Sequence, residues 1–117
     1  MKRVLSIQDI SCVGRCSLTV ALPILSAMGV EACPLPTAVL STHTGFQHFT
    51  FCDLTDEIEL IDIVWEQEGL SFDAVGSGYL GSIRQIDLVK RLGERFRRIY
   101  SGDAALLQIV DPAMADN

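Results

Sequence analysis

The sequence predicts an α/β protein, a three-layer sandwich in which helices cover both faces of a mostly parallel central sheet. Four apolar segments rich in β-branched residues alternate with three segments whose apolar residues have helical spacing. The apolar runs are continuous rather than alternating, which is typical of strands covered on both faces. This order of elements favours parallel strands joined by right-handed crossovers.

The predicted strands cover residues 3–8, 30–40, 73–77 and 104–110. The second strand contains Pro34 and Pro36, which lack the amide hydrogen that a sheet interior requires. We therefore expect it to be irregular or to lie at an edge. The first two helices are predicted over residues 15–28 and 55–68, each followed by a glycine.

The third helix has the clearest boundaries. Ser82 followed by Gln85 is a capping box, which predicts its start. Apolar residues at helical spacing predict its buried face: Ile83, Ile86, Val89, Leu92 and Phe96. Three arginines crowd its last turn, where the helix dipole favours cations: Arg95, Arg97 and Arg98. We interpret this cluster as a feature of the helix end rather than a ligand site.

Composition and charge exclude several classes of partner. The formal net charge is −6, and no basic cluster lies outside that helix end, which argues against nucleic acid and anionic membranes. No apolar run reaches the ~18–20 residues of a membrane span. The four cysteines form no CxxC pair, so we expect free thiols and a cytoplasmic location. His43 and His48 lack a third ligand, so a zinc site is not expected.

Polar residues follow each predicted strand, at the sheet edge where open α/β sheets bind ligands. After the four strands in turn come Gln8, Asp9 and Ser11; then Ser41, Thr42, His43 and Thr44; then Ser77 and Tyr79; then Asp111 and Asp116. The two aspartates are a candidate site for a hard cation such as Mg²⁺.

Residues 76–81 (GSGYLG) also fit the dinucleotide fingerprint GxGxxG. Tyr79, however, would place a bulky ring where the backbone must approach a pyrophosphate, so a Gly-rich turn presenting Tyr79 to a pocket is the preferred interpretation. An NAD-dependent oxidoreductase remains an alternative.

Several segments together resemble pyridoxal/pyridoxamine (vitamin B6) kinases of the ribokinase superfamily. They are RVLSIQD–SCVGRCS, STHTGF, DAVGSGYLGS and VDPAMAD, and the resemblance extends over essentially the whole chain. It implies a ribokinase-like fold and transfer of the γ-phosphoryl group of ATP, with Mg²⁺, to the 5′-hydroxymethyl group of a B6 vitamer. It also implies a homodimer. Hydroxymethylpyrimidine kinases are close relatives that share the DPxM segment.

The same resemblance assigns roles to single residues. Thr44, with His43 and Gly45 beside it, matches a threonine that contacts the vitamer, and Tyr79 matches a tyrosine that lines the ring pocket. Asp9 stands where most members have a substrate-binding serine. Asp111 and Asp116 match acids on the ATP and metal side, although Ala115 replaces the usual glycine between them.

The length of the chain departs from the family. The 117 residues correspond to a substrate-binding part of one ribokinase-like domain, ending after the fourth predicted strand, without the nucleotide-binding half and its catalytic aspartate. The hydrophobic content of 49%, with nine further glycines, exceeds the usual ~45–50% counted with glycine, as expected if a covering part is absent. We expect no catalytic residue here and no activity of this chain alone. A non-catalytic binding fragment is an alternative function.

Overall fold

The computed structural model describes residues 2–78, 80–99 and 107–110, with only the backbone for residues 96–99 and 107–110. Eight elements follow one another within these described residues: β1 (Arg3–Val13), α1 (Leu18–Ala27), β2 (Glu31–Thr42), β3 (Phe51–Asp53), α2 (Thr55–Gln67), β4 (Ala74–Ser77), α3 (Ile83–Ile99) and β5 (Leu107–Val110). The predicted α/β class is confirmed. No helix within the described part of the chain is long and apolar enough to cross a bilayer.

The five strands form one sheet in the order β3-β2-β1-β4-β5. All neighbouring pairs are parallel except β2–β3, so the prediction of a mostly parallel sheet is confirmed. Strand β1 is connected to β2, its neighbour towards one edge of the sheet, whereas β4 is connected to β5, its neighbour towards the opposite edge. The chain therefore changes direction between β1 and β4, the place where open α/β sheets form a ligand crevice.

The two prolines of β2 lie in a part of the strand that, among the described residues, pairs with a neighbouring strand on one side only. Pro34 and Pro36 are in register with β1, whereas β3 pairs with β2 only at residues 38–40. A shift in the β1–β2 register places two residues, Thr37 and Ala38, opposite Asp9. The predicted irregularity is thus confirmed. Among the described residues, β2 is an edge strand except at residues 38–40, where β3 pairs with it. The sequence does not predict β3, because its three residues are all exposed and show no strand pattern.

One face of the sheet carries the main core. Its buried side chains come from β1, β2, β4, the helices α2 and α3, and the connection between α2 and β4: Leu5, Ile7, Leu35, Ile58, Phe72, Val75, Leu88, Val89 and Leu92. Helix α1 connects β1 to β2, and α2 belongs to the connection from β2 to β4, which runs across the sheet in the opposite direction. Because such connections are right-handed, the two helices lie on opposite faces of the sheet. Together these give the three layers that the sequence predicts.

The buried face of α3 differs from the prediction at its start. Ile83 is 77% exposed and Ile86 37% exposed, so both are wrongly predicted as core. Gln85 is buried instead, and the stripe continues through Leu88, Val89 and Leu92. Helix α3 turns Gln85 rather than Ile83 towards the core because the Gln85 amide makes hydrogen bonds to Thr55 and to the Thr37 carbonyl. Phe96 lies outside the residues whose side chains the structure describes.

The capping box itself is confirmed, with one difference. The Gln85 N–H donates to Ser82 Oγ at 3.1 Å, and Gln85 Oε1 accepts from the N–H of Gly81 at 2.9 Å. The second bond thus reaches one residue further back than the usual partner. It ties the turn before the helix to the first turn of α3.

Arg95 makes a contact that the sequence does not predict. Its side chain is buried between helices and pairs with Asp62 and, at 3.8 Å, with Glu66, both on α2. Arg95 therefore joins α2 to α3 rather than serving only the helix dipole. The side chains of Arg97 and Arg98 lie outside those that the structure describes.

Candidate functional site

A cavity of about 820 Å³ opens along β1 and β4 and reaches the ends of both strands. Its volume falls in the range of ~300–1,000 Å³ that is typical of small-molecule sites. Three of the residues predicted from sequence line it together: Asp9, His43 and Thr44. The cavity therefore lies at the point where the chain changes direction, as expected for a sheet of this kind.

Asp9 occupies a different local structure from the one predicted. Strand β1 continues to Val13, so Asp9 and Ser11 lie within the strand rather than after it. Ser11 is 1% exposed and accepts a weak hydrogen bond from the Cys16 thiol. Asp9 is half-buried, and its carboxylate makes no hydrogen bond or ion pair with any residue that the structure describes. An acceptor with free capacity thus faces the cavity.

The loop between β1 and α1 forms the adjoining wall. It has unusual backbone geometry, with positive φ at Gly14 (111°) and at Ser17 (53°). The Thr19 hydroxyl oxygen lies 3.1 Å from the Gly14 carbonyl and 2.7 Å from the Cys16 carbonyl, so its one proton holds the loop by a hydrogen bond to either of them. Arg15 lines the cavity from this loop and adds a cation that the sequence reasoning missed. Its position just after the end of a parallel strand was the only available signal.

His43 is held firmly where β2 ends. Its backbone N–H donates to the Val13 carbonyl at 3.1 Å, and its Nδ1 accepts from the Gly45 N–H at 3.0 Å. The Phe46 ring lies 4.7 Å from the imidazole, centroid to centroid. Thr44 is exposed and lines the cavity, whereas Gly45 contacts the His43 ring and does not line the cavity.

The glycine-rich turn after β4 closes the third side. Gly76 lies within β4 opposite Ser6, and Ser77 and Gly78 line the cavity. A Cβ at Gly78 would come within 3.0–3.2 Å of the Gln8 side chain, so this glycine makes room for Gln8. That explains one glycine of the GxGxxG pattern, Gly78, without a dinucleotide. Tyr79, Asp111 and Asp116 lie outside the described residues.

The remaining lining is largely apolar and comes partly from α1, through Ala21, Ile24 and Leu25, and partly from the strands. Apolar side chains combined with a few hydrogen-bond donors and acceptors are typical of a small-molecule site. Among the described residues, no three His, Cys, Asp or Glu side chains come close enough to hold a metal ion.

Comparison with known proteins identifies the relatives. No family model matches the chain. It is 37% identical over 116 residues to the pyridoxal kinase PdxY of Paraburkholderia xenovorans, covering 97% of this chain and 39% of that protein. The crystal structure of pyridoxal kinase from Lactobacillus plantarum is 32% identical, with a TM-score of 0.86 over 99% of this chain and 40% of that one. The homologues of this chain are pyridoxal kinases.

A third relative has a different description. A protein of Bacteroides thetaiotaomicron described as a phosphomethylpyrimidine kinase is 46% identical, with a TM-score of 0.89 over 99% of this chain and 38% of that one. One of its crystal forms contains pyridoxal. The fold of this chain is therefore that of pyridoxal kinases, and the chain spans about two fifths of the length of the relatives it matches.

Proposed function

We propose that this chain is the substrate-binding part of a kinase that transfers the γ-phosphoryl group of ATP to the 5′-hydroxymethyl group of pyridoxal, pyridoxamine or pyridoxine. One observation carries the proposal. In a chain whose homologues are pyridoxal kinases, Asp9, His43 and Thr44 line one cavity at the change of direction in the sheet.

The chemistry of the cavity supports this substrate class. A B6 vitamer is a flat pyridine ring with a phenolic oxygen, a hydroxymethyl group and a variable 4′ group. The apolar wall of α1 suits the ring, and the Thr44 hydroxyl and His43 imidazole suit its oxygens. We further propose that the Asp9 carboxylate pairs with the ammonium group of pyridoxamine, because charge-assisted hydrogen bonds are stronger than neutral ones.

The proposal also covers the residues that would bind ATP and Mg²⁺ for phosphoryl transfer. Such transfer depends on positioning and on stabilisation of negative charge around the phosphates. We propose Asp111 and Asp116 for ATP and Mg²⁺, and Tyr79 for the vitamer ring, from their positions in the sequence. A homodimer and a cytoplasmic location are likewise proposals.

Two other functions are distinguishable by experiment. A hydroxymethylpyrimidine substrate is favoured by the description of the Bacteroides thetaiotaomicron relative, although that protein was also crystallised with pyridoxal. A non-catalytic binding fragment would keep the cavity and lack turnover.

A titration followed by ¹H–¹⁵N NMR tests the binding site. Pyridoxine should shift the amide signals of Asp9, His43 and Thr44, and hydroxymethylpyrimidine should shift them less. Thr44→Val should weaken pyridoxine binding about 3- to 10-fold, as expected for loss of one hydrogen bond. Thr50→Val is the matched control, because Thr50 is an exposed threonine of the same loop that does not line the cavity. Equal affinity for both ligands, or no binding at all, contradicts the B6 assignment.

Catalysis needs a completed enzyme. We expect a fusion of this chain to the part of the Lactobacillus plantarum kinase that it does not match to form the vitamer 5′-phosphate with ATP. Asp9→Ser in that fusion should lower kcat/KM for pyridoxamine relative to pyridoxal. An unchanged ratio would show that Asp9 does not set this preference. A folded fusion that binds ATP and pyridoxine without turnover would support the non-catalytic alternative.

A further inference from the structure

The His43 imidazole is enclosed by two glycines from different parts of the chain. A Cβ placed on Gly14, in the loop after β1, would overlap the ring at Cδ2. A Cβ on Gly45 would lie 2.7 Å from Cε1 and 2.9 Å from Nδ1. Real Cβ atoms do not approach other heavy atoms so closely, so both positions require glycine while the ring stays in this place.

The same contacts determine which ring nitrogen carries the proton. Nδ1 accepts the Gly45 N–H at 3.0 Å, and an acceptor nitrogen cannot itself be protonated. In neutral histidine the proton must then be on Nε2, because the hydrogen bond made by one nitrogen decides the state of the other. Nε2 has no hydrogen-bond partner among the residues that the structure describes, and His43 lines the cavity.

We propose that Gly14 and Gly45 clamp His43 as the Nε2–H tautomer, so that the imidazole presents a fixed hydrogen-bond donor to an acceptor atom of the ligand ring. His43 is thus a specificity-determining residue that selects for a ring oxygen or nitrogen acceptor, and Gly14 and Gly45 are its positioning residues. The nature of the ligand rests on the proposed function, whereas the clamp and the tautomer do not.

The first test reads the tautomer directly and needs no ligand. The chain contains two histidines, so a long-range ¹H–¹⁵N spectrum at alkaline pH, where imidazoles are neutral, resolves both. His43 should show a single Nε2–H form, whereas the exposed His48 should show the ordinary mixture of tautomers. An Nδ1–H form of His43, or a tautomer ratio equal to that of His48, overturns the clamp.

Two glycine variants separate the clamp from general backbone strain. Gly14→Ala and Gly29→Ala both place alanine at positive φ, 111° and 82°, but an added Cβ at Gly29 meets nothing within 4 Å. Gly14→Ala should change the His43 ring signals and Gly29→Ala should not. Equal spectra for the two variants, or unchanged ring signals in Gly14→Ala, overturn the role of Gly14. Where Gly14→Ala fails to fold, Gly45→Ala replaces it: its added Cβ meets the same ring without backbone strain, so it should also change the His43 ring signals, and unchanged signals overturn the clamp.

The second test concerns the ligand. His43→Gln keeps an N–H donor near the position of Nε2, whereas His43→Phe keeps the flat ring and removes the donor. Pyridoxine should bind about 3- to 10-fold more weakly to His43→Phe, and His43→Gln should recover most of that loss. Equal affinities of the two variants overturn the donor role. If the unaltered chain binds no pyridoxine while His43 is a pure Nε2–H tautomer, the proposed function and the donor role fail and the clamp stands.

Discussion

Gln85 connects three segments of the structure through one buried amide. Its side chain is 5% exposed. Oε1 accepts the Gly81 N–H at 2.9 Å, and Nε2 donates to Thr55 Oγ1 at 3.0 Å, with longer contacts to the Thr37 carbonyl and to Asp53. The turn before α3, the start of α2 and strand β2 therefore meet at this side chain. Gln85→Met keeps the size of the side chain and removes all of these bonds.

The expected cost follows from the two short bonds. Each neutral hydrogen bond contributes about 1 kcal/mol, and the Gly81 N–H, which belongs to an exposed turn, can bond to water once its partner is removed. Burial of the methionine side chain offsets part of this. We expect the free energy of unfolding to fall by about 1–2 kcal/mol.

Urea unfolding followed by tryptophan fluorescence measures this change. Trp65 is the single tryptophan, and its ring lies 5.1 Å from that of Phe72, a residue of the core. With an m-value of about 2 kcal/mol/M, the midpoint should fall by roughly 0.5–1 M urea. The Gly81 amide should also exchange faster with solvent, which a general loss of packing elsewhere would not single out.

A matched control and a second variant make the reasoning refutable. Gln67→Met changes an exposed glutamine of α2 and should stay within about 0.5 kcal/mol of the unaltered chain. Gln85→Glu keeps an acceptor for Gly81 but loses the donor and faces the Asp53 carboxylate, so it should be at least as destabilising as Gln85→Met. A Gln85→Met chain as stable as the Gln67→Met chain would refute the proposed role of the amide.

Four further predictions concern a backbone turn, the Cys33 thiol and the activity of the chain. Ser17→Gly should raise the free energy of unfolding by up to about 1 kcal/mol, because Ser17 has a φ of 53°, whereas Ser26→Gly inside α1 should lower it; thermal melts of both variants decide this. Burial and, second, the adjacent Glu31 carboxylate raise the pKa of the Cys33 thiol from 9.0 to about 11. Between pH 9 and 11 the folded chain holds this proton more tightly than the unfolded chain, so stability should decrease as pH rises through that window. Cys33 should also react with iodoacetamide more slowly than the exposed Cys52, as followed by mass spectrometry, and faster after Glu31→Gln; equal rates for the two thiols contradict this. The chain alone should form no pyridoxal 5′-phosphate from ATP, and turnover by it would contradict the assignment to a substrate-binding part.

Much of the fold could be predicted because it depends on local patterns. Continuous apolar runs, glycines after helices and the Ser82–Gln85 capping box follow from spacing alone, and each describes an element that the structure contains. The placement of Asp9, His43 and Thr44 around one cavity could also be predicted. Parallel strands bring their ends to one edge of the sheet, so residues distant in sequence become neighbours there.

Other features depend on contacts between segments that are far apart in the chain. The three exposed residues of β3 carry no strand pattern, and they become a strand only by pairing with β2. The rotation of α3 that exposes Ile83 is set by the hydrogen bonds of Gln85 to α2 and β2, and Arg95 is buried because Asp62 lies on the facing helix.

The sequence by itself determined the order of the elements, the strand ends that bear polar residues and the resemblance to B6 kinases, because these depend on residue types and their spacing. Only the tertiary structure decided which nitrogen of His43 is free. That depends on Gly14 and Gly45 meeting the same ring from two segments, a contact that arises when the ends of β1 and β2 come together.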